Sequence, residues 1–285
     1  MIAVLLDGTA LGLQFGLLGV GLTLVYGLGG ILNLAYGQMA VMGAMVVTLT
    51  MRAGLPAGWA VAVGLLTVGA LGLLLDATIM RPVYRQQGEH RVLLSLLLTL
   101  GVGIVIDGLL MWRYPIGSLG LDIGGAAVEI FGVRMRTGTL LASVISVTTG
   151  GLMLAFLRMS TLGKAIRSVI QDEEGSRLVG INPAAVRRLI FILSGILAGL
   201  VAVTRSMTSP VGVNAGIDFT ILALIVAVVG GLGSISGAFV AGILLGMVST
   251  VSAFYIGQYI TTIVLLAAAA ATILLRPTGL LGRNT

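Results

Sequence analysis

Charge is missing from this chain in long blocks. Seven stretches (9–28, 55–76, 92–112, 137–157, 189–205, 238–256 and 259–275) run for 17 to 22 residues with at most one ionisable side chain each. A helix crossing the hydrocarbon layer needs about 20 apolar residues, so each of the seven predicts a membrane span. Two shorter runs, 39–51 and 217–230, lie near or below that minimum, and both flank glycine-rich breaks. The expected count is therefore eight or nine membrane helices, some interrupted or re-entrant. Lipid offers no partner to backbone N–H and C=O groups, so a spanning segment must satisfy them internally. None of these stretches alternates apolar with polar residues as a barrel strand does. The expected fold is an all-α polytopic membrane protein forming one transmembrane domain over 1–285. Only 9% of the residues are charged, against roughly 25% in soluble domains, too few to coat a water-facing surface. The N-terminus, MIAVLLDG, lacks the basic region of a signal peptide, so the first run is expected to stay as a span.

The few cations orient the chain. Loop 77–91 holds Arg81, Arg85 and Arg91; loop 158–188 holds Arg158, Lys164, Arg167, Arg177, Arg187 and Arg188; the C-terminal tail holds Arg276 and Arg283. The opposite side keeps Arg52, Arg113, Arg134, Arg136 and Arg205. Eleven against five places the first set in the cytoplasm, with a cytoplasmic C-terminus, and an outside N-terminus if 39–51 spans. Segment 113–136 is then an external loop, and its AVEIFGVRMR alternates about Phe131-Gly132, which predicts a small hairpin. The net charge of +6 is spread singly or in short groups between apolar runs, which argues against a nucleic-acid partner. With no cysteine and only His90, thiolate chemistry and a histidine metal cluster are excluded, and no metal site is expected.

No motif supplies an engine. A phosphate-binding loop needs Gly-x-x-x-x-Gly-Lys-Ser/Thr. The sole lysine, Lys164, follows Gly163, but Ala165 stands where a hydroxyl is required and Arg158 where the first glycine belongs. If ATP drives this protein, other subunits hydrolyse it. A proton-coupled carrier would want deep ionisable groups. Asp107 lies about one turn from the interfacial Trp112, while Asp76 and Asp218 sit at span ends.

Between the spans, TLGKAIRSVIQDEEGSRLVGINPAAVRRL is closely specified. Ile166, Val169 and Ile170 share a helical face, Glu173 and Arg177 form an i,i+4 pair, and Gly180 suits a left-handed helix stop. Asn182 then caps a helix with Pro183 at its first position. The expectation is one short amphipathic helix, a glycine stop, and a return to the membrane. Either it is a solvated linker, or a rigid docking element for a cytoplasmic partner.

A second feature is the polar break in GGILNLAYGQMAVMGAMV from 29, where Asn33, Tyr36, Gly37 and Gln38 interrupt an apolar region. It is echoed by GGLGSISGAFVAGILLGMV from 230, with Gly230, Gly231, Gly233, Ser234 and Gly237; one gap aligns Gly37 with Gly237. The echo fits a weak internal repeat with broken helices near a transport path, and equally fits small-residue helix packing.

Taken together, GILNLAYGQMAVMGA (30–44), MRPVYRQ (80–86), GKAIRSVIQDEEGSRLVGIN (163–182), VVGGLGSISGAFVAGILLG (228–246) and LLRPTGLLG (274–282) resemble, in order, the membrane permeases of the branched-chain amino acid ABC importer family. The resemblance implies a bacterial inner-membrane permease that pairs with a related or identical second permease. Two cytoplasmic ATP-binding subunits carry ATP and Mg, and an external substrate-binding protein delivers solute; this chain would bind no cofactor. The loop matches the family's ATPase-coupling element, which implies contact or shaping roles for Gly163, Arg167, Asp172, Glu173, Arg177, Gly180 and Ile181. The family's N-x-A-H-G-[EQ] reads here Asn33-Leu34-Ala35-Tyr36-Gly37-Gln38, with tyrosine for the common histidine, so backbone geometry and hydrogen bonding are expected there rather than proton transfer. The competing functions are a stand-alone secondary carrier or facilitator and a non-transporting scaffold.

Overall fold

The computed structural model describes residues 2–114, 118–121, 127–130, 133–276 and 278–281. Phe131-Gly132, Arg283 and parts of segment 113–136 and of 274–282 lie outside them. Among the described residues, nine helices of 15 residues or more form a bundle: α1 (Ile2–Tyr26), α2 (Tyr36–Arg52), α3 (Ala57–Leu74), α4 (Gly88–Arg113), α5 (Thr137–Met159), α8 (Pro183–Thr208), α9 (Gly216–Gly230), α10 (Ile235–Tyr255) and α11 (Gln258–Leu275). Two short helices, α6 (Thr161–Gln171) and α7 (Glu173–Leu178), cover one end. Short strands cover the other: β1 (Ser118–Leu119) with β4 (Val211–Gly212), and β2 (Val128–Ile130) with β3 (Val133–Met135). The β2–β3 pairing, with Glu129 opposite Arg134, is the hairpin expected from the alternation. Among the described residues, six helices are long and apolar enough to cross a membrane: α1, α3, α4, α5, α8 and α10.

Burial inverts the soluble pattern. On α4 the inward stripe is Ser95, Thr99, Gly103, Ile106 and Leu110, spaced by three or four residues. Leu93, Leu97, Ile104 and Leu109 point outward. Small and polar residues face protein, and leucines face lipid. Trp59 and Trp112 are 70% and 83% exposed at the strand end, where an interfacial aromatic belt would sit.

The centre of the bundle is α1, which packs against α10, α8, α9 and α5. Its seam with α10 is made by glycine. A Cβ on Gly12 would stand 2.6 Å from the carbonyl oxygen of Ile243, one on Gly242 would stand 2.1 Å from the Gly16 nitrogen, and one on Gly246 would stand 2.1 Å from the Gly12 Cα. Backbones therefore touch, and the attraction is dispersion between main chains rather than expulsion of water.

Candidate functional site

The polar break is a crossing of two helix N-termini. Gly29 and Gly30 take positive φ, +79° and +83°, and turn the chain back into the bundle after α1. Residues 31–33 belong to no helix or strand, and two donors before α2 meet hydroxyls of α4: Leu32 N donates to Ser95 Oγ at 3.2 Å and Leu34 N to Thr99 Oγ1 at 2.9 Å. Asn33 is buried, and its Oδ1 accepts from Ala35 N at 3.1 Å, closing the turn that starts α2. From α9, Thr220 Oγ1 accepts from Gly37 N at 3.0 Å and lies 3.2 Å from the Leu34 oxygen. Gly37 rests on the start of α9: an added Cβ would sit 1.8 Å from the Gly216 carbonyl oxygen. Both α2 and α9 begin after an alanine in helical conformation, with no side-chain cap. Their first-turn donors and dipole ends are directed into the protein interior.

Gln38 lies in this junction against Gly216 and Gly103, and its buried Oε1 has no hydrogen-bond partner among the described residues. Tyr36 is fully buried in the core with its hydroxyl end against Gly21 of α1, and that hydroxyl too has no hydrogen-bond partner among the described residues.

The glycines at 230 form a separate junction. Gly230 ends α9, Gly231 and Gly233 take φ of +100° and +89°, and Ser234 caps α10 by accepting from Gly237 N at 3.2 Å. Gly237 packs on the Gly230 carbonyl, not on Gly37. The C-terminal segment folds over this turn: Ser234 Oγ donates to the Leu281 oxygen at 2.9 Å, and Leu280 N to the Val229 oxygen at 2.9 Å. The break at 27–35 leads into a 17-residue helix, and the one at 231–234 into a 21-residue one.

The covering element at the other end is two helices where the sequence predicted one. Asp172 adopts an extended conformation, φ −153° and ψ 107°, ends α6 and caps α7 by accepting from Gly175 N at 3.0 Å. A capping aspartate flanked by Glu173 and Glu174 favours a fresh N-terminus over continuation. Ser160 caps α6 through Gly163 N at 2.8 Å, and a Cβ on Gly163 would lie 2.4 Å from the Phe156 oxygen, so the α5–α6 corner needs glycine. Arg167 reaches back to the Leu157 oxygen. Ile166 and Val169 are buried, and Ile170 packs at Gly27. Gly180 takes φ +84°, Ile181 packs partly into the core with its nitrogen 3.0 Å from the Ser176 oxygen, and Asn182 caps α8 through Ala184 N at 3.0 Å. The tip between them is apolar and open: Leu178 is 89% and Val179 73% exposed.

Glu173 ties this element to the spans. It meets Arg177 at 3.0 Å, Arg187 of α8 at 2.5 Å and Arg91 of α4 at 3.9 Å. The Arg187 and Arg91 guanidiniums lie 4.1 Å and 5.8 Å from the ring centre of Tyr84. The Tyr84 hydroxyl donates to Asp76, in the wide π-type turn at 75–79 that ends α3. Burial first, then the hydrogen bond to Asp76, push the Tyr84 hydroxyl far above the usual phenol range, so it stays a donor. Local sequence pairs Glu173 only with Arg177 and shows Asp76 as a span-end carboxylate. The structure places Asp76 buried, in one network with Tyr84, Arg91 and Arg187. The one available signal was the MRPVYR run, whose arginines and tyrosine precede a span.

This arrangement positions backbone dipoles and solid contacts; among the described residues no group of acidic, histidine or cysteine side chains could hold a metal. The family model described as branched-chain amino acid transport system / permease component matches residues 4–275. The chain is 29% identical to the high-affinity branched-chain amino acid transport system permease protein LivH of Escherichia coli (strain K12), over 97% of this chain and 94% of that one. It is 29% identical to the corresponding protein BraD of Pseudomonas aeruginosa, over 98% and 95%. To the permease protein LivM of Escherichia coli (strain K12) it is 27% identical, over 84% and 61%.

Proposed function

The chain belongs to the family of branched-chain amino acid transport permease components, and we propose that it imports branched-chain amino acids, or related small amino acids or amides, by alternating access driven by separate ATPases. It is a multi-pass membrane protein and a transport component rather than an enzyme. In this reading it pairs with a second permease, homologous or identical, in a bacterial inner membrane. Two ATP-binding subunits supply ATP and Mg, and an external binding protein delivers solute. The arginine balance supports a cytoplasmic α6–α7 end and C-terminus. Nine traversals follow if α2, α9 and α11 count as spans, the first two being short because they start at the interior junction.

The observation that carries the coupling is the α7 tip. Leu178 and Val179 stand open on a short, doubly capped element held by Glu173. An apolar knob on a rigid mount suits a protein groove. Closure of the ATPases would move α7, and the Glu173–Arg187–Tyr84–Asp76 chain would carry that motion to α8, α4 and the end of α3. ATP can shift the equilibrium only through contacts that differ between the two states, and the tip is where they would differ.

Co-purification tests this. The chain should bring down an ATPase from its native membrane, and replacing both Glu173 and Arg177 should weaken that pairing. Solute uptake by the purified chain alone, without nucleotide, would instead make it a stand-alone carrier.

A further inference from the structure

We propose that the cavity at the strand end is a transit site for a zwitterionic amino acid with an apolar side chain; this deepens the importer reading above and rests on it. The cavity measures about 330 Å³ and is walled by α1, α8, β4, α9, α10 and α11. That is the small end of the range for small-molecule pockets, roughly 300–1,000 Å³, and holds one small solute. Arg205, in the last turn of α8, and Asp218, in the first turn of α9, line it together with Phe15 and Leu265 from near the middles of α1 and α11.

Among the described residues the two charges have no protein counterpart. Neither side chain forms an ion pair or hydrogen bond among the described residues, and they do not pair with each other. Arg205 is largely buried on a membrane helix. A largely buried cation with no carboxylate beside it favours an anionic group brought by a solute. The lining also selects. A guanidinium donates two parallel N–H bonds to a carboxylate, and a carboxylate in the same lining accepts from an ammonium. A dianion is repelled by Asp218 and a polycation by Arg205. Phe15, Leu222 and Leu265 give the same cavity an apolar wall for a hydrocarbon side chain. A zwitterion with an apolar side chain satisfies all three surfaces at once.

The chain has no cysteine, so Ser249→Cys places a single thiol in the cavity wall, and Thr262→Cys a second, independent one. The assembled transporter is reconstituted in vesicles and alkylated with and without millimolar leucine. Leucine should slow labelling, and adding Arg205→Gln or Asp218→Asn should abolish the protection and lower leucine uptake about tenfold or more. The ATPases should still co-purify with both variants. Protection equally good with urea or acetamide overturns the zwitterion assignment. Thiols that do not label, labelling indifferent to leucine (as when lipid or the second permease fills the cavity), or uptake unchanged in both variants overturns the site. Should the Arg205 variant fail to assemble, the exposed Asp218 carries the test alone. If the parent transporter takes up no leucine with ATP yet leucine still protects the thiol, the importer reading fails and the site stands.

Discussion

Replacing Gly37 by alanine tests the crossing of α2 and α9. The added methyl would stand 1.8 Å from the Gly216 oxygen and 2.6 Å from Thr220 Oγ1, where ordinary contact begins near 3.4 Å. Both obstacles belong to α9, one of them backbone, so one helix must withdraw by about 1.5 Å, against an overpacking cost of roughly 1–3 kcal/mol. That withdrawal breaks the bond from Gly37 N to Thr220 and the contact of Thr220 with the Leu34 oxygen, each worth about 1 kcal/mol net. The sum is about 3–5 kcal/mol, or a fall in Tm of roughly 6–20 °C at 2–4 °C per kcal/mol. The control is Gly101→Ala on α4, where an added methyl meets nothing within 4 Å. Melting of the two variants in one detergent is the assay. If Gly37→Ala melts within a degree or two of Gly101→Ala, the helix starts do not touch as described and the reasoning fails.

Three further outcomes follow from the same geometry. Arg187→Gln should destabilise by about 1–3 kcal/mol, between the exposed and buried limits for an ion pair, because its side chain is 12% exposed; Arg177→Gln, at 60%, should stay under about 0.5 kcal/mol in the same chemical melts. Leu178→Asp should leave the melt unchanged yet weaken ATPase binding roughly ten- to a hundredfold, as the loss of one buried leucine would, and a pull-down titration reads it. Gly246→Leu should drive α1 off α10 and abolish a monodisperse detergent peak, while Gly151→Leu, with open space around it, should not.

The helices themselves were legible because lipid demands long uncharged runs. The 189–205 run extends to Pro183–Thr208 because Asn182 and Pro183 start the helix inside a charged segment. The caps and the Glu173–Arg177 pair were legible too, being local. The division at Asp172 was not: a helical face and a capping aspartate compete, and the backbone decides in favour of the cap. Nor could Gly37 be matched with Gly216, which lies 179 positions on and is preceded by no double glycine. The echo at 230 shares letters with the first break, yet joins α9 to α10 instead of crossing α2. Arg91, Tyr84 and Asp76 come from separate local contexts, and only the packing of α3, α4 and α8 makes them one network.

The glycine seam of α1 and α10 also sets a clock on the birth of the protein. The first helix reaches the membrane early, yet its partner ends at Tyr255, so α1 waits for some 230 residues of synthesis. At 5–20 residues per second that is roughly 10–45 s. During this time Gly8, Gly12 and Gly16 lack the helix they pack against in the finished protein. A nascent chain of this kind has to be shielded by the insertion machinery until its last quarter emerges.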